Sequence, residues 1–221
     1  MDLVEGIYSR RAVRSFTDEP VKQAAVMQLL LAAVQAPSAI NQQPWAFAVI
    51  RGRERLAAYS ERAKRHLFAS LPGDLALHRR SDQLASADYN VFHHAGTLIV
   101  ILSKPAPFPA NEDCCLAAEN LLLAAHGMGL GACPIGFVRS WLDLPEIKRE
   151  LGFPTAYTPV APIVVGHPAG ETPRVPRIEP EVVVWLETDE EATPGVAGRS
   201  PPPAIGPWDR LVGLADRPPP A

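Results

Sequence analysis

The sequence contains few cysteines and no long apolar run. Only three cysteines occur in 221 residues, and two of them, Cys114 and Cys115, are adjacent. This pattern excludes a disulfide-rich scaffold and favours a reducing compartment. The longest apolar runs, such as residues 98–102, have the length of a strand, whereas a bilayer-spanning helix needs roughly 20 residues. Because the acidic start also differs from a secretory signal peptide, we expect a cytoplasmic protein with no membrane partner.

Excess positive charge and the common hydrolase motifs are absent as well. The 21 lysines and arginines are outnumbered by 24 acidic residues, which gives a formal net charge of -3 and no global field for binding nucleic acid. The sequence has no Gly-x-Ser-x-Gly elbow and no P-loop. Its adjacent pairs His93–His94 and Cys114–Cys115 lack zinc-ligand spacing, since neighbouring side chains diverge. We therefore expect neither a hydrolase nor a metal site.

Proline, by contrast, is abundant and unevenly distributed. The chain has 24 prolines, roughly twice the usual frequency, and eight of them follow residue 187. We predict a domain of residues 1–187 followed by a proline-rich C-terminal arm of residues 188–221. The arm is either a disordered tail or a segment that packs on a partner subunit, because Trp208 and Leu211 are among its apolar anchors.

Hydrophobic periodicity predicts helices mixed with short strands. Apolar residues at helical spacing predict a short amphipathic helix over residues 3–8 and longer helices over 21–35 and 112–128. Glycines at 127, 129 and 131 are expected to end the last of these. The predicted strands cover residues 47–50, 97–103, 160–165 and 182–186. Short strands interleaved with helices favour an α+β fold.

Three arginines lie within five residues near the N-terminus. Ser9-Arg-Arg-Ala-Val-Arg-Ser-Phe16 follows the short amphipathic helix. If this segment is extended, Arg10, Ala12 and Arg14 face one side and Arg11 the other. Two guanidinium groups on one side form a planar, bidentate site for a phosphate.

A polar loop and two later segments accompany the arginines. The loop, Ala36-Pro-Ser-Ala-Ile-Asn-Gln-Gln-Pro-Trp45, carries hydroxyl and amide groups that suit a polyhydroxy chain or a heterocycle edge. With the arginine segment it resembles the two N-terminal motifs of the nitroreductase family, which read close to R-R-S-V-R-x-F and P-S-x-x-N-x-Q-P-W. Residues 116–137 resemble the central helix and following turn of that family, and residues 160–169 its late strand and loop.

The resemblance implies an α+β fold in which a mixed sheet is sandwiched by helices, in an intertwined homodimer that binds FMN. Arg10, Arg11, Ala12 and Arg14 would lie at the phosphate and ribityl chain, joined by Arg174 or Arg177. The partner subunit would supply Pro37, Ser38, Ala39 and Asn41. The turn Pro134, Ile135, Gly136 and Phe137 would present backbone N–H groups to flavin N5 and O4, where negative charge develops. Two departures are Ala12, where a serine is usual, and Gly136, where some members have glutamate.

The resemblance also implies an oxidoreductase in which the cofactor carries the redox chemistry. NADH or NADPH would reduce bound FMN by hydride transfer, and a small oxidised acceptor such as a nitroaromatic or quinone would then react in a ping-pong sequence. Three alternatives remain open. One is a flavin-binding protein without turnover, and another is a specialised member that dehalogenates, fragments flavin or oxidises azolines. The third is a plain dimeric α+β domain whose arginines are solvated.

Overall fold

Helices and strands alternate along most of the chain. The computed structural model describes residues 2–70, 86 and 88–185. The helices are α1 (Leu3–Ser9), α2 (Gln23–Ala33), α3 (Arg53–Ser70), α4 (Ala110–Gly127), α5 (Arg139–Leu142) and α6 (Pro145–Leu151). The strands are β1 (Trp45–Arg51), β2 (Thr97–Ser103), β3 (Gly131–Pro134) and β4 (Thr158–Gly166), and 3₁₀ turns cover Ala39–Asn41 and Gly136–Val138.

The four strands form one sheet in the order β1-β2-β4-β3. Every neighbouring pair is antiparallel, and the register joins Phe47 to Ile101, Ile99 to Ile163 and Cys133 to Val164. Ala12 also forms an isolated parallel bridge with Ala132 of β3. The arginine segment therefore lies beside β3, at one side of the sheet.

The sheet has a hydrophobic core on each face, as the two-residue period of strand side chains requires. In β2, Leu98, Val100 and Leu102 belong to one core, whereas Ile99 and Ile101 belong to the other. The first core is covered by α3, α5 and α6, and the second by α2 and α4. The predicted α+β fold with a sheet sandwiched by helices is confirmed.

Local periodicity located most of these elements, with small shifts of their ends. The strand over residues 97–103 is confirmed, and α4 begins two residues before the predicted position. Helix α2 begins at Gln23, so the acidic residues at 18 and 19 lie outside its first turn. The C-terminus of α4 depends on Gly129, whose φ of 73° is costly for other residues and lets the N–H of Leu130 reach Ala125 O over 2.8 Å.

One predicted strand is wrong, and one strand was missed. Residues 182–185 form no regular structure, and Val183 is exposed, because a strand needs a hydrogen-bonded neighbour and these residues pair with none of the four described strands. The missed strand, β3, consists of Gly-Ala-Cys-Pro, which has little intrinsic strand preference. Its pairing with β4 creates it.

The chain divides into two compact units, residues 1–172 and 173–221. The predicted boundary at residue 187 lies inside the second unit, and the predicted arm of residues 188–221, like Leu186, lies outside the described residues.

No described helix is long and apolar enough to cross a membrane. Cys114 and Cys133 are buried, Cys115 is exposed, and all three are free thiols.

Candidate functional site

Backbone hydrogen bonds hold the arginine segment, residues 10–16, against the sheet. The N–H of Val13 donates to Ala132 O over 3.1 Å, next to the bridge between Ala12 and Ala132. Farther along, Phe16 forms an antiparallel bridge with Pro168, and the N–H of Ala169 donates to Ser15 O over 2.9 Å. The segment is therefore extended and held against the sheet at two places, which is the condition that the sequence argument required.

Two glycines let this segment approach the strands closely. A methyl group at Gly131 would lie 2.7 Å from Cγ1 of Val13, and one at Gly166 would lie 2.7 Å from Cδ1 of Phe16. Both distances are far below ordinary van der Waals contact. Since Val13 and Phe16 fill the space of the absent side chains, these glycines set the depth of the arginine segment on the sheet.

The first two arginines of the segment are engaged in different ways. Arg10, at the C-terminal end of α1, donates from Nε to Glu119 Oε1 of α4 over 3.1 Å. Arg11 turns back and donates from Nη1 to the carbonyls of Tyr8 and Arg10, each over 2.7 Å. Arg11 thereby pairs carbonyls at the helix end, which lack partners within the helix.

A histidine of α4 fastens the residue before Arg10. Ser9 Oγ donates to Glu5 O over 2.6 Å and lies 2.7 Å from His126 Nε2. A hydroxyl has one proton, so at the second contact it accepts, and His126 is the tautomer with its proton on Nε2. Burial, together with the positive charges of Arg10 and Arg11, lowers the pKa of His126. The neutral imidazole is thus a structural donor.

The third arginine, Arg14, shares a neighbour with Arg10, because the Cys133 thiol experiences the positive charge of both. Arg14 is exposed and interacts electrostatically with Cys133 and His93. Burial raises the pKa of the Cys133 thiol, and Arg14 opposes this shift. Burial, and then the charges of Arg14 and His94, lower the pKa of His93 to about 4. His93 is therefore neutral near pH 7 and adds no second positive charge beside Arg14.

The polar loop of residues 38–43 is held in an unusual backbone conformation. Ile40, Asn41 and Gln43 have φ values of 46°, 56° and 45°, which non-glycine residues rarely adopt. Ser38 Oγ accepts from the N–H of Gln43 over 3.0 Å, and Gln43 Nε2 donates to Asn41 Oδ1 over 3.0 Å. Such strain persists only where the surroundings enforce it, and it occurs often at binding sites.

Asp113, in the first turn of α4, anchors this loop. Its buried carboxylate accepts from the N–H of Ala39 over 3.2 Å and from Gln42 Nε2 over 2.8 Å. The other amide atom, Gln42 Oε1, is buried and has no hydrogen-bond partner in the described part of the chain. Pro37 is exposed, and Ser38 and Ala39 are half-buried. Four loop residues were predicted to contact the flavin: Pro37, Ser38, Ala39 and Asn41. Of these, Ala39 is hydrogen-bonded directly to Asp113.

The turn that begins at Pro134, the last residue of β3, offers fewer backbone N–H donors than the four predicted residues suggest. Pro134 has no N–H, and the N–H of Ile135 donates to Pro162 O over 2.8 Å. Gly136 opens the 3₁₀ turn Gly136–Val138, where an N–H has no partner within the helix. A methyl group at Gly136 would meet nothing within 4 Å. Pro134 and Ile135 therefore cannot donate to a flavin, and the roles predicted for Gly136 and Phe137 stay predictions.

Strand β3 connects the arginine segment with this turn, because it forms the bridge to Ala12 and ends at Pro134, where the turn begins. The loop of residues 38–43 is fixed at the first turn of α4. Arg174 and Arg177 belong to the second unit and are exposed, and their role stays a prediction. Trp45 is buried in the core under α2 and α4.

Sequence reasoning missed the residues that hold these segments. Asp113, Glu119 and His126 lie on one helix, and only their side-chain contacts distinguish them from other polar residues of α4. An acidic residue in a helical first turn is common, because it offsets the helix dipole, so Asp113 gave no specific signal. The described residues contain no group of three or more potential metal ligands.

Comparison with known proteins identifies the family. The chain is 30% identical over 169 residues to an NADH dehydrogenase/NAD(P)H nitroreductase of Methanothermobacter thermautotrophicus, covering 76% of this chain and 78% of that protein. It is 28% identical over 189 residues to an iodotyrosine deiodinase of Thermotoga neapolitana, covering 81% and 94%. A crystal structure of a Bacteroides fragilis nitroreductase with bound FMN superimposes with a TM-score of 0.72 at 27% identity, covering 85% of this chain and 100% of that chain.

These similarities extend over most of the first unit and include the arginine segment, the polar loop, α4 and β4. The sequence model of the nitroreductase family matches residues 7–167. The chain therefore belongs to the nitroreductase family.

Proposed function

We propose that this protein is an FMN-dependent NAD(P)H oxidoreductase that reduces a small oxidised acceptor. The observation that carries the proposal is the fixed position of the arginine segment beside β3 and the turn at Gly136. When bound, FMN would take a hydride from NADH or NADPH and pass electrons to a nitroaromatic, a quinone or a similar acceptor in a ping-pong sequence.

The residues of this structure fit such a cofactor. Glu119 engages only Nε of Arg10, so the terminal nitrogens of Arg10 and the exposed Arg14 can receive a phosphate. The side chain of Ala12, between them, is a single methyl group that packs against the first core. At the other end of β3, the open space around Gly136 allows a planar ring to approach the backbone.

The chain itself would supply binding, orientation and charge stabilisation. Arg10 and Arg14 would hold the phosphate, with Arg11 bracing the end of α1 and Arg174 or Arg177 adding one more cation. The N–H groups of Gly136 and Phe137 would donate to the flavin edge where negative charge develops on reduction. His126 is a fixed neutral donor to Ser9, so we do not assign it proton transfer.

A second copy of the chain would complete the site. Asp113 fixes the loop at the first turn of α4, whereas Glu119 and His126 fix the arginine segment about 9 Å and about 20 Å farther along the helix. We propose that Pro37, Ser38, Ala39 and Asn41 serve the flavin of the partner subunit. Exposed apolar side chains on α1, α2 and α4 offer a face for this partner: Leu3, Ile7, Met27, Leu31 and Leu116.

FMN binding provides the first test of this proposal. The purified protein should be yellow, and a fluorescence titration should show that it binds FMN. Arg14→Ala should weaken FMN binding by about 1.5–3 kcal/mol, as expected for a charge-assisted contact, and leave riboflavin binding nearly unchanged. Arg65→Ala, which removes an exposed arginine of α3, is the matched control. A protein that takes up no FMN would contradict the proposal.

Steady-state kinetics tests turnover. Initial rates with varied NAD(P)H and a fixed series of acceptor concentrations should give parallel double-reciprocal lines. Bound FMN with no acceptor-dependent NAD(P)H oxidation across nitroaromatics, quinones and halogenated phenols would favour a flavin-binding protein without turnover. FMN titrations of the variants Arg174→Ala and Arg177→Ala would show which of these two residues meets the phosphate.

A further inference from the structure

We infer that Glu119 is a positioning residue for phosphate recognition: it holds Arg10 so that the terminal nitrogens of the guanidinium face the anion. The inference rests on the proposed FMN site and adds a residue that does not itself touch the ligand.

The geometry of the pair carries the inference. Glu119 Oε1 accepts from Nε of Arg10 over 3.1 Å, at the inner corner of the guanidinium group. A guanidinium has five N–H donors, so four donors on the terminal nitrogens lie outside this pair. The Arg10 side chain is only 20% exposed, whereas that of Glu119 is 51% exposed. The carboxylate therefore fixes a largely enclosed arginine from its solvent side.

A second contact on the same face of α4 fixes the backbone beside Arg10. His126 follows Glu119 by seven residues, which is two helical turns, so both side chains project from one face. His126 Nε2 donates to Ser9 Oγ over 2.7 Å. Ser9 and Arg10 are thus held at two points about 10 Å apart along α4, which limits both the path of the chain and the direction of the arginine.

Charge and orientation predict opposite effects of Glu119 on phosphate affinity. As a negative charge, Glu119 opposes the approach of a phosphate to Arg10, so its removal would strengthen binding. As an anchor, it reduces the conformational freedom that Arg10 loses on binding, so its removal would weaken binding. Because Glu119 is half-exposed, solvent and salt screen its charge, and we expect orientation to dominate.

The experiment compares Glu119→Ala with Glu119→Gln, using FMN and riboflavin as probes of the intact protein. Glu119→Ala should weaken FMN binding about fivefold, the upper range for an exposed ion pair, and leave riboflavin binding unchanged. Glu119→Gln should bind FMN nearly as wild type does, because its amide oxygen still accepts from Nε. In an Arg10→Ala background, Glu119→Ala should have no further effect.

Three results separate the explanations. If both Glu119 variants bind FMN as tightly as wild type or more tightly, the positioning role is wrong. If FMN and riboflavin lose affinity equally, Glu119 acts on the fold and the inference is also wrong. If wild type binds no FMN, the proposed function itself fails. Glu119→Met, which keeps the aliphatic stem and helix preference, replaces the alanine variant should that variant fold poorly.

Discussion

Gly131 and Gly166 determine how closely the arginine segment lies on the sheet. Neither glycine has a positive φ, so their importance comes from space and not from backbone freedom. Val13 and Phe16 occupy the positions where a side chain would project. At the scale of single residues, the candidate site therefore depends on atoms that are absent as well as on charged groups.

Gly131→Ala should shift the arginine segment. The added methyl group would lie 2.7 Å and 2.8 Å from Cγ1 and Cβ of Val13, a branched side chain that cannot turn away. We expect a loss of about 1–3 kcal/mol in the free energy of unfolding, measured by urea denaturation, and weaker FMN binding. For stability, Gly136→Ala is the control, because its methyl group would meet nothing of the protein within 4 Å. Equal stability of the two variants would contradict the packing described for Val13.

The stability of the FMN-free protein should decrease at acidic pH partly through His93. Burial, Arg14 and His94 lower the pKa of His93 from 6.5 to about 4, so between these values the unfolded chain binds a proton that the folded chain does not. The contribution of neutral His93 to the free energy of unfolding is therefore full above pH 6.5 and is lost as the pH falls toward 4.

His93→Gln tests this linkage. The difference in unfolding free energy between wild type and His93→Gln should decrease steadily as the pH falls from 6.5 to 4. Chemical denaturation at several pH values measures it, and His66→Gln on α3 controls for the loss of one imidazole. A difference that does not change with pH would show that His93 has similar proton affinity in both states.

Helix α4 is the element that organises the candidate site. Its first turn holds the polar loop through Asp113, and its later turns hold Ser9 and Arg10 through His126 and Glu119. The same helix packs its buried face, including Leu121 and Ala125, against the sheet. Because one rigid element carries all of these contacts, movements of the loop and of the arginine segment are restricted by a common scaffold.

Asp113→Asn should loosen the polar loop. Both carboxylate oxygens lie within hydrogen-bond distance of the Ala39 N–H, and Oδ2 also accepts from Gln42 Nε2, so an amide NH₂ group in place of either oxygen would face a donor. We expect a loss of about 1–3 kcal/mol in the free energy of unfolding, the range for a buried polar partner left unsatisfied. Increased amide hydrogen exchange at residues 39–43 should accompany it. Glu112→Gln, on the exposed side of the same turn, is the control.

At the scale of the whole molecule, the apolar side chains of α1, α2 and α4 remain exposed in the single chain. Met27 and Leu31 of α2 are 48% and 59% exposed, although their neighbours Val26 and Leu29 are buried in the core. A helix that is apolar on more than one side usually packs against two surfaces. In the proposed homodimer, the partner subunit would cover the exposed side of α2 that carries Met27 and Leu31.

Leu31→Glu should separate the proposed dimer. A carboxylate at this position would be buried in the interface without a partner, which is strongly unfavourable. Light scattering should show a monomer, and FMN binding should be weakened because each monomer lacks the loop of its partner. Phe68→Glu on α3, on the other side of the sheet, makes the same exposed apolar-to-acidic change and should remain dimeric. A monomeric Leu31→Glu protein that binds FMN normally would contradict a shared site.

The sequence by itself determined the fold class, most of the elements and the segments of the candidate site. Helical and strand periods are local properties, so α4, β2 and β4 could be predicted within a few residues. The arginine segment and the polar loop could be identified because their residues are contiguous. Helix α3 was not predicted, since its many charged residues leave only sparse apolar positions such as Leu56 and Ala63.

Only the tertiary structure decided which residues hold these segments in place. Glu119 meets Arg10 across 109 residues of sequence, His126 meets Ser9 across 117, and Asp113 meets Ala39 across 74. Strand β3 exists because β4 pairs with it, and the space above Gly131 matters because Val13 fills it. Such contacts depend on how separate elements pack, and a local pattern of residue types does not show which distant residues will meet. The sequence therefore predicts candidate ligand-facing groups, whereas packing selects the residues that hold those groups in place.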